Sequence, residues 1–211
     1  MTKVLPKYTL GEELVNAISH GLGAVLGVVG TVLLALKAVD TVQRIAAIVY
    51  GCSLVLMFAM SCLYHTVTAQ RAKYVLRVFA HSAVSLLIAG TYTPYTMIAL
   101  RGTLGWVLLA IVWGCAILNI VLSAVNMEKF KTVSMVCYIA SGWCILPALN
   151  TLLQSMTTPG IWLLFLGGVV YTVGIVFYKL KKIPYMHAVW HIFVIAGAVL
   201  QYLSLYGYVF G

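Results

Sequence analysis

The stretch "PYMHAVWHIF", residues 184–193, opens the last apolar run of the chain and sets His187 and His191 four residues apart. Residues at i and i+4 share one face of a helix, so two ionisable rings project side by side. No charged residue follows them before Gly211. What surrounds this pair decides the fold. Apolar residues make up 63% of the chain and charged residues 8%, with a mean hydropathy of +1.05. Soluble domains carry about 25% charged residues, so this chain cannot clothe a water-facing surface. A bilayer-spanning helix needs about 20 mainly apolar residues, and such runs recur along the whole sequence. The expected fold class is an all-α integral membrane protein of the cell membrane: one domain over residues 1–211, built as a seven-transmembrane helix bundle.

The spans are read at about 14–36, 45–64, 79–100, 104–125, 132–153, 161–178 and 186–210. Residues 132–178 hold no charge at all. They divide at "QSMTTPG", where Pro159 and Gly160 mark a turn. The first span is too long, and lacks the small-residue cleavage site, to be a cleaved signal peptide.

The net charge of +9 would suit a nucleic-acid partner, but its placement argues against one. With the N-terminus inside, the cytoplasmic segments hold Lys3, Lys7, Arg71, Lys73, Arg77, Lys129, Lys131, Lys179, Lys181 and Lys182; the outer segments hold Lys37, Arg44 and Arg101. Such asymmetry orients a membrane protein with its positive loops inside, here N-terminus cytoplasmic and C-terminus outside. The five cysteines fall within spans and form no C-x-x-C pair, so they read as small apolar residues. Gly23, Gly27 and Gly30 lie near one face of the first helix, a pattern that lets helices approach closely. Pro94 and Pro147 should kink their spans.

Threaded onto this topology, all five histidines reach the inner leaflet. His20 lies early in the first span, His65 ends the second, His81 begins the third, and His187 and His191 begin the seventh. Glu12 and Glu13 sit at the same level. Ionisable residues at membrane depth are costly and usually mark function. The i, i+4 pair has the spacing of two metal ligands on one helix. His65 is the expected third, since it closes its helix at matching depth, with Ser61 one turn above on the same face. Three neutral imidazoles suit zinc and leave a fourth position for water. The motif is not the metalloprotease H-E-x-x-H, because "AVW" separates the histidines. His20 and His81 read equally well as interfacial hydrogen-bonders or as residues around the metal.

Four motifs carry a family resemblance. "EELVNAISHG" (12–21), "SCLYH" (61–65), "LLIAGTYTPY" (86–95) and "HAVWHIFVIAG" (187–197) are similar to those of the hemolysin III-type bacterial branch. That branch belongs to the progestin and adipoQ receptor (PAQR) family, which includes the adiponectin receptors and is related to alkaline ceramidases. The resemblance implies a seven-helix bundle with a zinc ion in the cytoplasmic leaflet, ligands His65, His187 and His191, and Ser61 nearby. It also implies roles around the site for Glu13, Asn16 and His20. Two departures stand out. Ala80 occupies the position of the family's aspartate at the start of the third helix, and Gln201 stands where many relatives have a histidine. His81 is adjacent to Ala80, but one residue turns about 100 degrees along a helix, so it is a poor replacement.

The function expected first is a zinc-dependent hydrolase of a lipid amide or ester in the inner leaflet, with a ceramide-like or fatty-acyl substrate. Without the aspartate it lacks a general base and should be impaired. The alternative is a non-catalytic, receptor-like sensor or regulator of membrane state with structural zinc. A haemolysin or channel ranks third, because Asp40 is the one acid in the outer half. The partners expected are a membrane lipid and no nucleic acid, with a homo-oligomer left open.

Overall fold

A computed structural model describes residues 5–6 and 8–211; Lys3 and Lys7 of the charge pattern lie outside the described residues. Its seven α-helices are α1 (Leu10–Lys37), α2 (Thr41–Thr66), α3 (Gln70–Pro94), α4 (Thr103–Gly142), α5 (Leu149–Ser155), α6 (Thr158–Lys179) and α7 (Met186–Tyr208). Helix α1 begins with a capping box. The Thr9 hydroxyl accepts from Glu12 N–H at 3.3 Å, and Glu12 Oε2 accepts from Thr9 N–H at 2.8 Å, satisfying donors that a helix start leaves open. Asp40 caps α2 in the same way, accepting from Gln43 N–H at 2.8 Å.

Among the described residues, six helical stretches are long and apolar enough to cross a membrane. One of them is α4 together with its continuation to Ser155. The outer face of α1 leaves Ile18, Leu22, Val25 and Leu36 largely exposed, which an apolar solvent tolerates and water does not. Its inner face is the glycine stripe. Gly23 meets Phe58 of α2, and Gly30 meets Tyr202 of α7, so α1 packs on both helices. A Cβ on Gly23 would lie 2.8 Å from the Phe58 ring, so this approach needs glycine.

Separate helices are expected at 104–125 and 132–153, and α4 is two helical stretches that meet, with no loop between them, at Asn126, its one residue with non-helical dihedrals. Asn126 breaks one helix and starts the next, because its Oδ1 accepts from Lys129 N–H at 3.0 Å, as a capping residue does. The direction of the chain changes there. Before it, Trp113 Nε1 donates to Thr93 Oγ1 at 3.2 Å, and at the turn Arg77 pairs with Glu128 at 2.7 Å; numbers rise in α4 as they fall in α3. After it, Tyr138 donates to His81 O at 3.0 Å and Tyr92 donates to Gly142 O, so numbers rise together. The stretch 132–153 is also not one helix. It leaves helical geometry after Gly142, passes through a 3-10 turn (Leu146–Ala148) that contains Pro147, and resumes as α5. Pro94 ends α3 and is followed by a π-turn, Tyr95–Ala99, which re-routes the hydrogen bonds a proline frees.

Candidate metal centre

His65 comes from the last turn of α2, and His187 and His191 from the first two turns of α7. The start of α7 is set by Tyr185, whose backbone is left-handed (φ 62°), a region non-glycine residues rarely occupy. Its N–H donates to Glu12 Oε1 at 2.8 Å. Glu12 therefore caps α1 with one oxygen and anchors α7 with the other. This tie fixes the height of His187 against α1.

The three rings converge. Their ligand nitrogens lie within 4.8 Å of one another, and His187 Nε2 and His191 Nε2 are 3.2 Å apart. Two nitrogens bound at about 2.0–2.1 Å to one tetrahedral ion are separated by about 3.3 Å. A plain hydrogen bond would explain that distance equally well, but it would not explain His65. Nδ1 of His65 pairs with Glu13 Oε2 at 2.6 Å, while its buried Nε2 has no hydrogen-bond partner. A buried polar atom without a partner is costly, and this one belongs to a ring whose other nitrogen is held as in carboxylate–histidine–metal sites. The donor set fits a metal ion.

Around the rings, Lys73 Nζ holds the other oxygen of Glu13 at 2.5 Å, linking α1, α2 and α3. His20 is fully buried and stacks on His191 with centroids 3.6 Å apart. Asn16, one turn earlier, is buried with no partner for its amide. Tyr8, ahead of α1, lies 5.0 Å from the His187 ring and 5.6 Å from that of His65. Burial pushes its phenol well above the usual tyrosine range, so it is a neutral hydroxyl.

A cavity of about 420 Å³ adjoins the rings, a size typical of small-ligand sites. Ser61, His65, Ala80 and His187 line it, and its wall extends along α7 to Gln201, about 21 Å from His187 at 1.5 Å per residue. Ser61 and Ala80 thus share the chamber with His65 and His187, and Gln201 lies at its far end. His81 also lines it, but among the described residues its ring contact is with Tyr178, 6.4 Å away. Tyr8 and Lys73 did not emerge from sequence. Lys73 and Arg77 share a helical face ahead of the third span, and that spacing was the available signal for Lys73; Tyr8 offered none.

Fold and site define a multi-pass helical membrane protein with a tri-histidine cluster of metal-binding form. The chain belongs to the haemolysin-III-related family, whose model matches residues 8–202. It is 39% identical to "Hemolysin-3" of Bacillus cereus over 99% of this chain and 98% of that one. It is 38% identical to the "Hemolysin-3 homolog" of Bacillus subtilis over 95% and 96%. With the human "Monocyte to macrophage differentiation factor" it shares 30% identity over 97% of this chain and 87% of that one. The resemblance read from the four motifs is thereby borne out, including the relationship to the progestin and adipoQ receptor family. A multi-pass cell-membrane location follows from the same matches and the apolar helices.

Proposed function

We propose that this protein binds one zinc ion through His65, His187 and His191 in the inner leaflet, at a centre built to hydrolyse the acyl amide or ester of a membrane lipid. The supporting observation is the shared chamber: three imidazoles converge, and two of them, His65 and His187, line one cavity with Ser61, Ala80 and apolar walls that include Val84, Leu87 and Val194. Bound there, zinc would polarise the acyl carbonyl and lower the pKa of a water towards about 7.

The chain's own residues then divide the work. Glu13 accepts the Nδ1 proton of His65, leaving Nε2 free to ligate, and Lys73 keeps Glu13 charged. Ser61, which lines the same cavity, would donate a hydrogen bond to the carbonyl oxygen. Residues of α4 and α6, Met135 and Ile175 among them, line the cavity together with those of α2, α3 and α7, and an apolar wall of this kind suits a substrate arriving from the bilayer. At position 80 the methyl group accepts no proton, so this chain should bind metal yet turn over slowly. A regulator with structural zinc is the second reading, and Ala80 is what favours it.

The topology proposed with this site has seven spans, N-terminus inside. A continuous 40-residue α4 would be about 60 Å long, twice the roughly 30 Å hydrocarbon core; reversal at Asn126 makes it two spans. Lys181, introduced as a cysteine after removal of native thiols, should label from the cytoplasmic side alone. Labelling from outside would invert the bundle.

Ala80→Asp tests the chemistry. General-base help is worth roughly 10²–10⁴-fold in rate, so the variant should raise hydrolysis of a short-chain ceramide or ester lipid with unchanged zinc by elemental analysis. If it stays as inactive as the parent across a broad lipid panel, the structural reading replaces the hydrolase.

A further inference from the structure

The rim of the cavity carries charge that the histidine site does not use. Arg77, Lys131, Lys179 and Lys181 all line it, from α3, from α4 beyond Asn126, and from the end of α6 with the loop that follows. The carboxylate that meets them is Glu128, 2.7 Å from Arg77 and 3.8 Å from Lys131. The positive-inside rule accounts for the sign of these residues but not for their convergence. Arg71 and Lys129 belong to the same end of the bundle and do not line this cavity. Lys181 feels the crowding, since partial burial and then Arg77 press its ammonium below the usual lysine range. Among the described residues no carboxylate lies within ion-pair distance of it.

Deeper in, the lining turns apolar at Val84, Leu87, Ile88 and Val194. A cationic rim above an apolar shaft fits an anionic amphiphile. A free fatty acid fits poorly, because its charged group is its acyl carbon, which cannot sit both at the rim and beside the histidines. A glycerophospholipid separates the two, with its phosphate outermost and its ester carbonyls one glycerol unit deeper. His187 lies six residues beyond Lys181 along the chain and faces the same chamber. An arginine fork and mobile lysine ammoniums are suited to phosphate oxygens.

We propose that this rim binds the phosphate of an anionic glycerophospholipid, so that the lipid presented to the histidines is negatively charged rather than neutral like ceramide. The inference rests on the histidine cluster being the centre where a lipid is processed. Hydrolysis of such a lipid balances with water alone. The acyl–oxygen bond breaks, hydroxyl joins the acyl carbon, and the proton ends on the glycerol oxygen.

Binding separates this proposal from activity. The full-length protein in zwitterionic nanodiscs is titrated with short-chain phosphatidylglycerol, with ceramide of equal acyl length, and with inorganic phosphate. Phosphatidylglycerol should bind roughly tenfold more tightly than ceramide and weaken with salt. Lys131→Gln with Lys181→Gln should lower its affinity roughly 10–30-fold, whereas Lys129→Gln should change it less than twofold. Equal binding of ceramide, or an equal loss in Lys129→Gln, overturns the proposal by reducing the rim to general surface charge. Inorganic phosphate binding as tightly as the lipid overturns it too, making this a site for the ion alone. Zinc is measured in every sample. Metal-free protein that keeps the preference would sink the hydrolase and leave the rim standing; zinc-loaded protein without it would do the reverse.

Discussion

The two ends of the bundle both carry charge, but they use it differently. At the end away from the histidines, polar side chains mostly finish helices: Asp40 caps α2, Arg101 Nε donates to Ile98 O at 3.3 Å, and Lys37 donates to Tyr206 O. At the histidine end, side chains bond to one another across helices. Glu13 of α1 joins His65 of α2 and Lys73 of α3, and Arg77 of α3 joins Glu128. Capping a helix end is worth about 1 kcal/mol and needs no partner helix. A buried side-chain network commits three helices to one arrangement, and breaking it leaves charge stranded. The contrast explains why ionisable side chains pair with one another at the histidine end, while those at the far end serve helix termini.

The largest effect that would test this contrast is loss of the metal. His191→Ala should remove most of the zinc and the stabilisation a bound metal gives, about 4 kcal/mol when the metal is at 1,000 times its Kd. Elemental analysis and melting curves with and without zinc report both; stoichiometric zinc in the variant would refute the ligand assignment. Glu13→Gln is expected to weaken zinc roughly 10–100-fold, the usual cost of a lost partner to a ligating histidine, read by competition with a chelator. An unchanged affinity would mean the α1–α2–α3 network serves packing alone. The smallest effect belongs to the far end. Asp40→Ala should cost about 1 kcal/mol with zinc content untouched, and any loss of metal there would erase the distinction between the ends.

Sequence carried the histidine end further than it carried the helices. The level of each ring followed from where its span begins or ends, and the i, i+4 spacing aligned His187 with His191, so their meeting with His65 was legible. Lys73 was counted only as an orienting charge, because its reach to Glu13 depends on how α3 is rotated against α1. Span periodicity does not fix that rotation. Glu12 was placed at the right level, but its bond to Tyr185 joins segments far apart in sequence. The span bounds leave residues 126–131, "NMEKFK", between the fourth and fifth spans. Those residues are compatible with a helix, and one asparagine sufficed to end one helix and cap the next.

That single-residue break has a consequence for proteolysis. A protease needs a stretch of chain it can pull straight, and the turn at Asn126 offers helix on either side despite Lys129 and Lys131 being exposed. The segment between α6 and α7, with Lys181 and Lys182 in non-helical, exposed chain, offers what the turn withholds. Brief trypsin treatment should therefore nick the protein after Lys181 or Lys182, releasing a short piece that carries His187 and His191 and leaving residues 103–155 intact within the large one.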